Sequence, residues 1–581
     1  MVKWVYIESK YYYSEDNFVT YNSSNEFSGE WEEEKNEDIK ARVKILIKYG
    51  SNKGKIILAE LDAIREMLEQ LHPEICYRNT GYGHEFEVFV ISVLHHLTYA
   101  QAITKVIHGN NDGTVDAIVD DGDVAFAYQI KLDKLNDPNV IYQMKQNINS
   151  IIKGETSTDT CTDLKDYLYA NKELLKKRYD YRTISENNSS DTNITPSTIF
   201  KLYFDNLFLP HENNNLELYL PIEKYNVYVD KAPIKDATNY TYLSSGTEKP
   251  ASVFIFVNAE KLIENLLQQG VTPDDDRLFY DNIRGKLGEN KAIQNTILEH
   301  PEMFVIYNNG LSIIGEWKQQ ELEFVIKNPS WVNGQQTLFN LLKAKERKVD
   351  LSKITLPVFI KKAETAEEKQ NIALYNNSQK AVKDIDLLSL KSNIREIQKY
   401  LLDKAYERNF GDKSYYLKII SSGEKGSDKI LKMLFSKHNI IPLAEFVRMN
   451  WIVDNKKQLG DWKNNISKMI KSEYLDKTYS ISIDKCERVC ELIVTFKQFL
   501  EQQTPSNKKI YKNCDVAFMY LINSFSNKKY SVTKAKRIID YINETIFERK
   551  RSEFAGAKLI DLYKSNEIMD NIKEAKKALG Y

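Results

Sequence analysis

At 581 residues, with 42% apolar and 28% charged residues and 36 tyrosines, the chain is neither disordered nor collagen-like, and its length predicts about three domains of roughly 150 residues. Five cysteines without a CxxC pair exclude a disulfide scaffold, and no basic-then-apolar leader or run near about 18 apolar residues occurs, so a cytoplasmic protein with no membrane span is expected. The net charge of −1 hides an asymmetry, because Lys383–Tyr581 carries 38 Lys/Arg against 26 Asp/Glu; solvated lysine-rich helices and a phosphate-facing surface both account for that excess.

The first 40 residues are acidic and aromatic, and the run Trp31-Glu32-Glu33-Glu34-Lys35 reads as solvated surface. Alternation over residues 41–60 predicts a hairpin turning at Gly50 to Gly54, and Asp62 to Leu71 reads as a short helix. The Gly50–Lys55 stretch falls one residue short of a phosphate loop, with Ile56 where a magnesium-holding Ser or Thr belongs, so no Walker-type ATPase is indicated. From Gly83, apolar residues at Phe86, Phe89, Val90, Val93, Leu94 and Leu97 mark one face of a helix. A strand over Thr104 to His108, a turn over Gly109 to Gly113, strands over Val115 to Val119 and Val124 to Leu132, and a helix over Val140 to Ile152 follow. Residues 180–197 are rich in Asn, Ser, Thr and Asp and mark either a domain boundary or a long loop. Strands resume in LYFDNLFLP, LELYLPI, YNVYVD and SVFIFV, and the signal is mainly helical from Lys383. The expected architecture is α/β multidomain: an N-terminal α/β domain at 1–180, a mixed α/β domain at 198–382 and a mainly helical domain at 383–581.

Chemistry concentrates where Asp112 and Asp116 meet Gln129-Ile130-Lys131 on the neighbouring strand. Residues two apart on a strand share a side, so Gln129 and Lys131 face one way while Ile130 faces the core and offers its backbone carbonyl. The Asp116 carboxylate suits a hard cation such as Mg²⁺, with Mn²⁺ as the alternative, and the lysine ammonium can orient or help deprotonate a water and offset charge on a phosphodiester. Glu87, the polar residue in Phe86-Glu87-Val88-Phe89, approaches from the preceding helix. Taken singly each piece is ordinary; the ordered combination is what signals a site. His95 and His96 are adjacent and diverge on a helix, and Cys486 and Cys490 have no other Cys or His nearby, so both pairs read as packing.

The segments FEVFVISVLHHLTY, NDGTVDAIV and YQIKL resemble the Mrr-type branch of the PD-(D/E)XK restriction-endonuclease-like fold, over residues 83–150. That resemblance implies a restriction-endonuclease-like core and a metal-dependent nuclease, with Asp116 as the metal-binding aspartate, Gln129 in the acidic position, Lys131 as the catalytic lysine, Glu87 as the helix acid and Asp112 as the first turn aspartate. Gln129 departs from the Glu or Asp of the broader pattern.

A second resemblance spans residues 278–390 and rests on Asn282-Ile283-Arg284, Asn308-Asn309-Gly310, Asn333-Gly334-Gln335-Gln336-Thr337 and Asn377-Ser378-Gln379. These are similar to the AIPR family, named for abortive-infection phage resistance. Asn309-Gly310 predicts a hairpin turn. At Val332 to Thr337 a strand gives way to a helix opening at Leu338, where backbone N–H groups with Gln335, Gln336 and Thr337 can hold an anion or nucleic acid. Arg284, Asn377 and Gln379 are expected to converge on the same pocket. The resulting expectation is an antiphage endonuclease acting on DNA in preference to RNA, with a homodimer and a phage-derived trigger or partner defence protein as expected associates. The alternative is a non-catalytic nucleic-acid-binding or nucleotide-sensing regulator that uses the nuclease fold and the NGQQT turn for binding.

Overall fold

A computed structural model describes the chain apart from residues 1, 8, 16–17, 19–20, 28, 72–80, 110–111, 134–136, 156–160, 187–190, 210–215, 230–231, 244–251, 274–276, 280–287, 364, 366–367, 370, 374–384, 386–387, 390, 420–424, 455–481, 526–527, 555, 557 and 566. It forms two compact units, Met1–Phe208 and Leu209–Tyr581.

The first unit opens with β1 (Lys3–Ile7), β2 (Lys10–Ser14), β3 (Asn22–Ser24) and β4 (Glu32–Glu33), which form a sheet in the order β3-β2-β1-β4. Of the run read as solvated surface, Glu32 and Glu33 form β4 and are exposed, as is Lys35, while Glu34 is buried. Next come α1 (Glu37–Tyr49) and α2 (Ser51–Leu71) in place of the expected hairpin. Apolar residues at 41–68 fit both periods, and long-range burial decides: Val43, Leu46, Ile57, Leu61, Ile64 and Leu68 all reach a core. The glycines there are packing residues. Gly50 takes φ 79° between the helices, and a Cβ on Gly54 would stand 3.0 Å from Leu46 Cα, so the helices cross at close range. Gly54→Val is expected to cost about 1–3 kcal/mol through overpacking, seen as a lower unfolding midpoint, with Gly54→Ala milder.

The remainder of this unit is α3 (Gly83–His95), α4 (Tyr99–Ile103), β5 (Ala117–Asp121), β6 (Val124–Ile130), α5 (Val140–Ile152), α6 (Thr162–Ala170), β7 (Arg178–Ile184), β8 (Asn193–Ile194) and α7 (Pro196–Phe208). The strands run in the order β5-β6-β7-β8; β5 and β6 are antiparallel, and the other pairs parallel. Alternation distributes the side chains: Ala117, Val119, Tyr128 and Ile130 join the core with α2, α3 and α7, whereas Ile118, Ala125 and Ala127 join that with α5 and α6. The sheet thus lies between two helical layers.

Three local expectations are corrected here. Thr104 to His108 is not a strand; Val106 alone bridges to Ala117. Residues 178–184 are a strand paired to β6 along its length, so the boundary placed at 180–197 falls inside the first unit. Leu202–Phe208 of LYFDNLFLP belongs to α7, opened by Pro196 at its first turn, and Phe200, Phe204 and Phe208 form a buried stripe at helical spacing. Phe200 packs 5.2 Å from Phe89 and 5.9 Å from Phe86 between ring centroids, an attachment that composition does not reveal.

The second unit contains β9 (Glu217–Pro221), β10 (Lys224–Val229), β11 (Ala232–Thr238), β12 (Tyr240–Leu243), β13 (Ser252–Asn258), α8 (Ala259–Gln268), α9 (Lys291–Glu299), α10 (Phe304–Tyr307), β14 (Leu311–Gln319), β15 (Glu323–Asn333), α11 (Gln335–Glu346) and β16 (Thr355–Lys361). Its six-stranded sheet runs β12-β13-β16-β14-β15-β9, with β14 and β16 parallel and the other neighbours antiparallel. One face buries Val253, Ile255, Ile313, Trp331 and Val358 beneath α8 and α11. A second core begins at Leu388 and gathers helices over Ser392–Glu407, Leu443–Asp454, Ile483–Glu501, Asp515–Ser524 and Lys528–Tyr541, with Cys486 and Cys490 fully buried in it. No helix among the described residues is long and apolar enough to cross a membrane.

Candidate active site

Local backbone geometry places Asp116 immediately before β5. Gly113 and Thr114 both adopt left-handed φ, 61° and 65°, and the Asp112 side chain accepts from Thr114 N at 2.8 Å, closing an Asx turn. Gly113 is required twice over, since a Cβ there would stand 2.9 Å from Cys161 Sγ. Asn147 of α5 donates to Gly113 O at 2.6 Å and fixes the turn from the opposite side. Beyond it, Asp116 N donates to Tyr128 O and Asp116 O accepts from Ile107 N, each at 2.8 Å.

The Asp116 carboxylate, only 2% exposed, is held by the adjacent strand. Its Oδ2 accepts from Gln129 Nε2 at 2.5 Å and from the Ile130 backbone N–H; its Oδ1 faces Lys131 Nζ at 3.4 Å. Lys131 is 46% exposed in its side chain, so the ammonium stands between a buried carboxylate and solvent. Gln129 meets Asp116 as a donor; serving a metal would require its Oε1. Ile130 is buried, as strand alternation predicts.

Helix α3 contributes two buried acids. Glu85 is taken by Arg65 Nε at 2.6 Å, whereas Glu87, two positions on and therefore on another side of the helix, pairs with His84 Nδ1 at 3.0 Å. His84 and Asn147 were not singled out in the sequence. A His three residues before an acid at the start of a helix was the available signal for the first; the second depends on a contact across 34 residues.

Electrostatics ties these groups together. Burial, then the nearby Glu87 and Asp112 charges, pushes the Asp116 carboxyl well above its ordinary range against the opposing pull of Lys131 and the Ile130 N–H. Burial and Asp112 likewise raise Glu87, opposed by His84 and Lys131. Burial works to lower Lys131, but Asp116, Glu87 and Asp112 outweigh it and the ammonium is held above its usual range. His84 is raised chiefly by its hydrogen bond to Glu87. The centre therefore gathers two buried acids and the part-buried Asp112 beside Lys131 and His84, and oxygen donors of this kind suit a hard divalent ion. Among the described residues no group of three His, Cys, Asp or Glu side chains is placed to hold a metal ion.

A stability consequence follows. Carboxyls whose folded pKa is raised bind more protons folded than unfolded, so metal-free stability declines as pH rises from the ordinary carboxylate range through the folded pKa. Asp116→Asn keeps an acceptor for the Ile130 and Gln129 N–H groups while removing the charge. In EDTA at neutral pH it is expected to raise the melting temperature by roughly 2–4 °C, equivalent to about 1 kcal/mol, with the gain shrinking as pH falls; calorimetry across pH checks this.

The second set of sequence-selected residues meets elsewhere, in the second unit. Asn309-Gly310 is not a hairpin turn: it joins α10 to β14, which pairs with β15 and β16. Gly310 has φ 71°, and a Cβ on it would lie 2.1 Å from Pro357 O; Gly334 has φ 90°, and its Cβ would lie 2.7 Å from Gly310 O. The two Asn-Gly signatures are thus one packing junction, linked further by Thr337 Oγ1 donating to Asn308 Oδ1 at 3.1 Å. Helix α11 starts at Gln335, three residues earlier than expected, with Gly334 as its N-cap. Asn333 Oδ1 accepts from Gly334 N, Gln336 bonds Asn290 and Gly288, and Gln335 is buried with its Oε1 unpaired. Asn309 is exposed, and Arg284, Asn377 and Gln379 lie outside the described residues.

Residues 279–579, more than half of the chain, match the AIPR protein family. The chain belongs to the AIPR family. Neither a curated protein nor a solved structure matches it. The AIPR match contains the Gly310–Gly334 junction and the helical core, and begins well after the Asp116 centre.

Proposed function

We propose that this AIPR-family protein is a phage-defence nuclease whose first unit is a restriction-endonuclease-like domain hydrolysing phosphodiester bonds, with DNA favoured over RNA. The observation supporting this reading most strongly is the buried Asp116 carboxylate held by Gln129, with Lys131 between it and solvent and the buried Glu87 of α3 close enough to raise its pKa. Asp116 and Glu87 would hold the cation, with the Ile130 carbonyl and Gln129 Oε1 as further oxygen donors. Mg²⁺, when bound, supplies Lewis acidity and a more acidic water. Lys131 stays protonated at neutral pH, so its part is to orient the attacking water and offset charge developing on the phosphate rather than to act as base. His84 fixes the Glu87 carboxylate.

The test is incubation of the purified full chain with DNA and RNA in Mg²⁺ and in EDTA. Metal-dependent cleavage lost in Asp116→Asn supports the proposal; intact substrate in every condition, together with undiminished phage protection by Asp116→Asn, sinks it.

A further inference from the structure

The amino-terminal sheet has two unlike faces. On one, Val5 is buried with Phe18 and Val43, and Ile7, Tyr12, Ile39 and Ile47 pack around them, so this face is sealed by α1. The other follows from the register: Trp4 pairs with Tyr13 and Tyr6 with Tyr11, which puts four rings on one surface. Phe27 and Trp31, from the segment between β3 and β4, extend it. Trp4 and Phe27 lie 5.0 Å apart, Tyr6 and Tyr11 4.8 Å, and Tyr13 stacks on Trp31 at 4.2 Å between centroids. Tyr6 remains 56% exposed and Phe27 48%, although large rings are normally covered. The Trp4 indole N–H is buried without an acceptor, a donor lacking its partner.

Charge selects what can sit there. Glu33 pairs with Trp4 and so shares the aromatic side; Glu15, Glu26, Glu30 and Glu32 are exposed around the sheet, and among the described residues no ion pair engages any of these five. Lys3 is neutralised by Glu34 at 2.8 Å, which leaves Lys10 and Lys35 as the exposed described cations of the first 36 residues. A polyanion would be repelled, whereas cationic side chains gain both from aromatic faces and from the carboxylates.

We propose that this acid-rimmed aromatic face docks an arginine- or lysine-rich peptide segment of a partner protein. The proposal does not depend on the nuclease reading. It is tested by fluorescence anisotropy of a labelled octa-arginine peptide titrated with the full chain, with a labelled octaglutamate peptide titrated separately. Saturable, salt-sensitive binding is expected, weakened about tenfold by Trp31→Ala and by Glu33→Lys and unaffected by Lys131→Ala. Glu33→Lys changes an exposed side chain and preserves the test if Trp31→Ala disturbs the sheet. Absence of saturable binding, binding indifferent to Glu33→Lys, or equal binding of the octaglutamate peptide overturns the proposal.

Discussion

Lys131→Ala is expected to reduce Mg²⁺-dependent cleavage by about 10²- to 10³-fold without weakening metal binding. The two effects separate because Lys131 is no metal ligand: it stands 3.4 Å from Asp116 Oδ1 and competes there with any added cation. Its loss leaves the carboxylates freer for the ion but removes the positive charge at the solvent-facing side, where a phosphate would approach. Asp116→Asn is expected to lose both metal affinity and cleavage. Single-turnover cleavage combined with calorimetric Mn²⁺ titration distinguishes the variants; retained cleavage in Lys131→Ala would remove the lysine from the chemistry.

Gly310→Ala carries the largest expected stability effect, on the order of 3–5 kcal/mol. Left-handed φ of 71° opposes any Cβ, and that Cβ would meet the Pro357 carbonyl oxygen at 2.1 Å, so β14 and β16 must separate locally to admit it. Chemical denaturation of the full chain should show the loss in the unfolding of Leu209–Tyr581, with Met1–Phe208 unchanged. Unaltered denaturation would contradict the packing role assigned to Gly310.

The Asp116 centre was legible because its parts are local: a glycine turn, a strand and a Gln-x-Lys pair separated by a short hairpin fix one another through backbone geometry. Elements decided by distant partners were less so. Residues 41–60 and 202–208 have apolar spacing that serves strand or helix equally, and only burial against neighbouring helices selects helix. Strand β7 was concealed because its polar composition is tolerated by pairing with β6. The Asn309-Gly310 signal was real, but positive φ served a close backbone approach instead of a reversal.

The shared-centre claim is tested most directly by locating Mn²⁺ by anomalous diffraction in crystals of the full chain. The account predicts a peak bound by the Asp116 and Glu87 carboxylates beside the Gln129-Ile130-Lys131 strand, absent in Asp116→Asn. Manganese bound elsewhere in the first unit, with none at Asp116, would contradict it.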